Sequence, residues 1–184
     1  AAYKALQKKG KISKRIRFVV FAGDGGTYDI GLQALSGALE RGHDFLYVCL
    51  NNEAYMNTGV QRSSATPKCA AATTAPYGEA IPGKPQDRKD LTEIVVAHGI
   101  PYVAQAAVSH LIDLANKVER AMKYEGPKFI NVLTTCPLGW RTPRDSAIQQ
   151  SKLAVETRYW PLYEVIEGRY KINYKPKEMV PIEE

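Results

Sequence analysis

Apolar residues in this chain fall into short unbroken runs, separated by stretches of helical periodicity. Arg17 to Ala22 turns apolar after a basic lead, Phe45 to Leu50 and Phe129 to Leu133 repeat the pattern, and Pro101 to Gln105 is a shorter version. Such runs predict strands buried on both faces, as in a parallel sheet. Between them, Tyr28 to Leu39 sets Ile30, Leu32, Ala34, Leu35 and Leu39 along one broad helical face. Val108 to Tyr124 does the same with Leu111, Leu114, Val118 and Met122. Asp90 caps a helix reaching His98, with Glu93 completing an Asp-x-x-Glu capping box. Residues 144–158 read as a further helix, and Tyr163 to Ile166 with Tyr170 to Tyr174 as a hairpin turning at Glu167-Gly168. Residues 1–9 favour a helix that Gly10 can stop.

Alternating strands and helices predict an α/β fold, an open parallel sheet with helices on both faces. The expectation is one domain over residues 1–184, with a long functional loop at 53–89 and a hairpin and tail at 160–184. Both ends read as cut, so the chain is expected to be the carboxyl-terminal part of a longer subunit. Ligands of such sheets bind beyond the carboxyl ends of the strands. Three chemically loaded loops fall there: Gly23–Thr27, Asn51–Gly59 and Thr134–Trp140.

Composition narrows this only a little. The chain has 184 residues, 45% of them apolar, enough for one domain with a real core. No run approaches the length that spans a bilayer, and the basic start lacks the apolar core of a signal peptide. A cytoplasmic protein without a membrane role is expected. The formal charge of +6 gathers in Lys8–Arg17 and Arg169–Lys177. No aromatic-interleaved motif accompanies it, so it reads as a solvated face rather than a nucleic-acid site, with an acidic electron carrier as a conceivable partner. Cys49, Cys69 and Cys136 are odd in number and none pairs as CxxC, which argues for reduced thiols and against a disulfide framework or a zinc site. Cys49 sits mid-strand and reads as a core residue, and Cys69 as incidental. His43, His98 and His110 form no ligand-spaced pair and stand near no candidate nucleophile. Trp140 and Trp160 read as packing anchors.

The chemistry concentrates in Gly23-Asp-Gly-Gly26. Asp24 offers a hard carboxylate oxygen at a strand end, the glycines let backbone N–H groups approach an anion, and the following helix points its positive end there. A carboxylate beside an anion site suits a bridging cation, and magnesium takes one or two protein oxygens together with substrate phosphate. Twenty-five residues separate Gly25 from Asn51, one helix and one strand, so a βαβ crossover lets Asn52 and Asp24 face the same ion. Taken singly, each piece also fits a plain turn.

Together, the GDG and NN motifs resemble the diphosphate-binding motif of thiamine-diphosphate enzymes. The wider set Gly23-Asp-Gly-Gly-Thr-Tyr-Asp-Ile-Gly31, Asn52-Glu-Ala-Tyr-Met-Asn-Thr-Gly59, Gln61-Arg-Ser-Ser-Ala-Thr-Pro67 and Cys136-Pro-Leu-Gly-Trp140 resembles the β subunits of pyruvate:ferredoxin oxidoreductases over nearly the whole chain. The resemblance implies that Asp24 and Asn52 bind magnesium through side chains and Ala54 through its carbonyl. It implies a diphosphate cradle of Gly23, Gly25, Gly26, Thr58 and Gly59, with Asn57 near the reacting end of the thiazolium. It makes Cys136 one of four thiolates around a [4Fe–4S] cluster. In the family, the other cluster cysteines, including a CxxC, precede this region, and none of them is present here.

The same resemblance implies the partners and the reaction. Pyruvate is decarboxylated on the cofactor, electrons leave through iron–sulfur clusters to ferredoxin, and coenzyme A accepts the acetyl group, or the sequence runs in reverse. The complex includes a pyrimidine-binding α subunit, which brings the cofactor-activating glutamate, a γ subunit and a ferredoxin-like δ subunit. This chain alone is therefore expected to be inactive. Three alternatives remain: an oxidoreductase for 2-oxoglutarate or branched-chain acids, a non-oxidative thiamine enzyme such as a decarboxylase or acetolactate synthase, and a non-catalytic assembly subunit. The Cys136 loop and the lack of a fused pyrimidine-binding domain count against the second, and intact Asp24 and Asn52 against the third.

Overall fold

The computed structural model describes residues 2–177. In chain order the elements are α1 (Ala2–Lys8), β1 (Val19–Gly23), a π-helical turn (Gly25–Ile30), α2 (Leu32–Glu40), β2 (Phe45–Asn51), β3 (Ala54–Tyr55), β4 (Gln61–Arg62), α3 (Leu91–Val96), β5 (Tyr102–Ala107), α4 (Leu111–Ala121), β6 (Pro127–Leu133), α5 (Pro137–Trp140), a 3₁₀ turn (Arg144–Ser146), α6 (Ala147–Glu156), β7 (Tyr163–Ile166) and β8 (Arg169–Ile172). Six strands form one sheet in the order β1-β2-β6-β5-β7-β8, while β3 and β4 pair by themselves. The first four are parallel, and β7 and β8 join antiparallel beside β5. The expected α/β fold is present, with an antiparallel hairpin at one edge.

Helices cover both faces. On one, Leu35 and Leu39 of α2 and Leu91 and Val95 of α3 pack with Cys49, Val103, Phe129 and Val165. On the other, Leu114, Val118 and Ala121 of α4 pack on Leu46, Val48, Ala104, Ile130 and Val132. The central strands β5 and β6 are buried along their whole lengths, as continuous apolar runs require. Among the described residues, no helix is long and apolar enough to cross a membrane. Residues 178–184 of the expected tail lie outside the described residues.

Several expectations need correcting. The run at Phe18–Ala22 is an edge strand, not a strand buried on both faces, and Phe21 is 67% exposed. The helix expected from Tyr28 begins as a π-helical turn and becomes regular only after Gly31. The Gly31 N–H closes this turn on the Gly26 carbonyl at 2.9 Å, and a Cβ on Gly31 would sit 2.2 Å from that oxygen. This register shift turns Ile30 out to 88% exposure, and Ala34 is exposed too. Leu111, at the first position of α4, is likewise exposed. Asp90 caps α3 through the Glu93 N–H at 3.1 Å, but α3 ends at Val96 and Glu93 does not reach back. Its carboxylate instead accepts the hydroxyls of Tyr163 and Tyr170.

The hairpin is anchored by Glu164, whose buried carboxylate accepts the Tyr102 hydroxyl at 2.5 Å, the Asn173 amide at 2.6 Å and the Arg120 guanidinium. Burial alone would raise its pKa, but the Tyr102, Asn173 and Arg120 hydrogen bonds outweigh that and hold it below the ordinary carboxylate value. A depressed carboxylate stabilises the fold at neutral pH, and this contribution is lost as pH falls through the folded-state value. Glu164→Gln is expected to lower stability by about 1.5 kcal/mol at pH 7 and to flatten the loss of stability on acidification. Denaturant titrations at pH 7 and pH 4 check both parts.

Candidate cofactor site

The site forms where β1 and β2 end side by side. Parallel pairing sets Gly23 opposite Leu50, so Asp24 and Asn52 leave adjacent strand ends on the same side. Asp24 starts the π-helical turn and is 1% exposed. Its carboxylate accepts the Ser63 hydroxyl at 2.5 Å and the Asn52 N–H at 3.3 Å. Burial pushes its pKa up, the Ser63 and Asn52 hydrogen bonds oppose this, and nearby Asp29 adds repulsion. The site is therefore short of positive charge.

The Asn52 amide stands over the same spot. The terminal atom facing the loop lies 2.8 Å from the Ala54 carbonyl and 2.9 Å from Asp24 Oδ1. As nitrogen, this atom donates to both. As oxygen, it makes three acceptors converge, an arrangement that only a cation stabilises.

The neighbouring residues divide between facing the site and supporting it. Asn51 supports: its buried side chain donates to the Tyr28 hydroxyl at 3.0 Å and accepts the Glu53 N–H at 3.0 Å. Tyr28 also takes a bond from Asn131 at 2.8 Å, and Asn131 reaches Thr92, so a buried polar network underlies the strand ends. Gly25 lies against the Tyr55 ring, while Gly26 is exposed and open. Asn57, Thr58 and Gly59 form an exposed turn after β3, with the Thr58 hydroxyl on Gln61 rather than turned inward. Asn57 makes no hydrogen bond to Asp24 or Asn52.

Cys136 follows β6, the other neighbour of β2, and caps the short α5. Its loop touches the Asn52 loop twice. Met56 Sδ occupies the place a Cβ on Gly139 would take, at 2.2 Å, and Cys136 Sγ is 3.6 Å from that same point. The Trp140 indole donates to the Asn52 carbonyl at 3.0 Å. Trp140, expected only to pack, thus fixes a site loop. Trp160 is the plain anchor, buried and donating to the Ala106 carbonyl at 2.8 Å. Cys49 is buried, its thiol pushed up to about 12, and Cys69 is exposed on the long loop. Among the described residues, no three His, Cys, Asp or Glu side chains gather as metal ligands. Two histidines do meet serines, contrary to expectation, His98 with Ser36 at 2.8 Å and His110 with Ser109 at 2.9 Å.

Residues 5–132 match the family described as thiamine pyrophosphate enzyme, C-terminal TPP binding domain. The chain belongs to that family. All of it aligns, at 54% identity, with 57% of the pyruvate synthase subunit PorB of Thermotoga maritima. All of it also aligns, at 52% identity, with 60% of the ketoisovalerate oxidoreductase subunit VorB of Pyrococcus abyssi. The chain therefore spans about three fifths of the length of these relatives. A solved 2-oxoglutarate:ferredoxin oxidoreductase from Magnetococcus marinus, with 2-oxoglutarate, coenzyme A and succinyl-CoA bound, superposes with a TM-score of 0.58. That match has 29% identity and covers 62% of this chain and 38% of that one.

Glu53 was not singled out by sequence. It lies between Asn52 and Ala54, is 6% exposed, and adopts a left-handed backbone with φ of 68°. Its carboxylate accepts the Tyr159 hydroxyl at 2.7 Å and Arg88 Nη1 at 3.1 Å. Burial raises its pKa to about 7 against the pull of these two partners.

Proposed function

We propose that this chain is the magnesium- and diphosphate-binding part of a thiamine-diphosphate-dependent 2-oxoacid:ferredoxin oxidoreductase, of the kind that oxidises pyruvate to acetyl-CoA or runs in reverse. The observation that carries this reading is the convergence of the Asp24, Asn52 and Ala54 oxygens. In an octahedron with bonds of 2.0–2.1 Å, adjacent oxygens lie about 2.9 Å apart. Separations of 2.8 and 2.9 Å around the Asn52 amide fit that spacing. A dication would also supply the charge that buried Asp24 lacks.

On this reading Asp24, Asn52 and Ala54 hold the magnesium ion. Gly23, Gly25, Gly26, Thr58 and Gly59 line the diphosphate, and Asn57 stands toward the reacting end. When bound, the cofactor supplies the electron sink for decarboxylation of a 2-oxoacid. The chain's own residues bind and orient it. Ser63 and the Asn52 N–H keep the Asp24 carboxylate aimed, and the Trp140 indole holds the Asn52 backbone.

Cys136 fits one corner of a [4Fe–4S] cluster next to the cofactor loop, and no more than one corner, since a cubane takes four ligands. No step is derived through a cluster here. The subunit names and oxidoreductase titles of the relatives support an assembly with a pyrimidine-binding subunit, γ and ferredoxin-like δ subunits, ferredoxin and coenzyme A, working in the cytoplasm. The +6 charge suits an acidic electron carrier.

The test uses the enzyme assembled with the full-length subunit. Pyruvate-dependent, coenzyme A-dependent reduction of ferredoxin is expected to fall to background when chelator and gel filtration remove magnesium and the cofactor, and to return only when both are restored. Faster turnover of 2-ketoisovalerate or 2-oxoglutarate would reassign the substrate, and the 52% match to a ketoisovalerate enzyme makes the first of these the rival to measure. A complex that binds neither magnesium nor thiamine diphosphate by calorimetry would leave the chain a purely structural subunit.

A further inference from the structure

We infer that Glu53 is a positioning residue for the metal loop, acting through Asn52 and Ala54; the inference rests on the magnesium reading above. An L-residue in the left-handed region costs on the order of 1 kcal/mol, and glycine or asparagine normally takes such a place. Glutamate occupies it here, with φ of 68°. The conformation reverses the chain between Asn52 and Ala54, so that the side-chain oxygen of the first and the carbonyl of the second reach the same side as Asp24. An ordinary extended residue would send them to opposite sides.

Every polar group of Glu53 is engaged. Its N–H donates to Asn51 Oδ1 at 3.0 Å, and its carbonyl accepts the Thr66 hydroxyl. Its buried carboxylate takes Tyr159 and Arg88, and Arg88 is itself fixed. Its second nitrogen donates to the Tyr159 carbonyl at 3.2 Å, and its guanidinium lies 4.6 Å from the Tyr159 ring centre and 5.3 Å from that of Trp160. Arg88 and Glu53 close the two ends of the long loop, 35 residues apart, while Tyr159 comes from beyond α6, 106 residues away. Three separate parts of the chain thus hold one strained residue between two ligands. A plain buried ion pair would not need its acid at that backbone position. Partners that orient metal ligands change affinity by about 10–100-fold when removed.

The experiment measures magnesium affinity in the assembled enzyme at saturating thiamine diphosphate. Manganese, read by electron paramagnetic resonance, serves as a second probe. Tyr159→Phe removes one hydroxyl and should keep the fold. Glu53→Gly relieves the backbone but loses the carboxylate, and Glu53→Gln keeps the shape without the charge. We expect Glu53→Gly and Glu53→Gln to weaken the metal at least 10-fold and Tyr159→Phe several-fold. The bound-manganese spectrum should broaden, while melting of the metal-free complex moves little for Tyr159→Phe. Wild-type magnesium affinity in all three variants would overturn the inference and leave the magnesium site standing. Absence of magnesium binding in the wild-type enzyme would overturn the reading beneath it. If Glu53→Gly alone bound normally, the carboxylate would have no positioning role.

Discussion

Asp24→Asn is expected to abolish magnesium-dependent cofactor binding while leaving the metal-free protein as stable as before. The asparagine oxygen can still accept the Ser63 hydroxyl and the Asn52 N–H, so the hydrogen bonds that aim the side chain survive. The negative charge that a dication would neutralise is lost. The loss in magnesium affinity should be at least about 100-fold, the upper end of what losing a mere supporting contact costs. Without metal the sign reverses, because wild-type Asp24 is a buried carboxylate beside Asp29, and burial already raises its pKa. Thermal unfolding of the metal-free variant should be unchanged or stabilised by up to about 1 kcal/mol. Calorimetry with magnesium and thiamine diphosphate, beside melts with and without both, checks the pair of outcomes. A variant that bound normally would remove Asp24 from the site. A variant that melted far lower without metal would make the carboxylate a structural group.

The adjacent glycines should separate stability from binding. A Cβ at Gly25 would meet three atoms of the Tyr55 ring at 2.2, 2.4 and 2.5 Å. That ring has little room to yield, since its hydroxyl donates to the Gly25 carbonyl at 3.0 Å and to Asp29 at 2.8 Å. Gly25→Ala is expected to cost about 3 kcal/mol of stability by overpacking, and to displace Ala54 beside Tyr55. In a chain of this length the melting temperature would drop by roughly 6–12 °C. A Cβ at Gly26 meets nothing within 4 Å, so Gly26→Ala should leave stability within about 0.5 kcal/mol. Its methyl group would instead stand in the space assigned to the diphosphate, and binding should weaken. Melting curves and cofactor titrations on both variants test this crossing pattern. Equal stability losses would mean that the two glycines serve the turn alone.

The pairing of Asp24 with Asn52 was legible because one βαβ unit makes their strands neighbours, and spacing in sequence is enough to show that. The strands themselves were legible from their apolar runs. What those runs do not reveal is neighbourhood: the first run has the composition of a central strand, yet it lies at an edge. Ile30 and Ala34 were misplaced because periodicity assumes a regular helix, and the π-helical turn shifts the register before Gly31. Glu53, Trp140 and Tyr159 escaped notice for a different reason. Each acts across a long stretch of sequence, Trp140 over 88 residues and Tyr159 over 106, and no local pattern encodes such contacts. The positive φ at Glu53 was equally hidden, since nothing in Asn-Glu-Ala advertises a residue that glycine would more readily fill.

The strand that delivers Asp24 is also the one whose outer edge is unpaired in the sheet. Its five residues are held on one side by β2 alone, and the free side presents backbone groups ready to pair. Any polypeptide that added itself there would stiffen the strand whose last residue precedes the carboxylate. Tighter assembly would then mean tighter cofactor binding. Reciprocity of coupled equilibria requires the converse by the same factor, so a loaded site would hold its neighbour more firmly than an empty one.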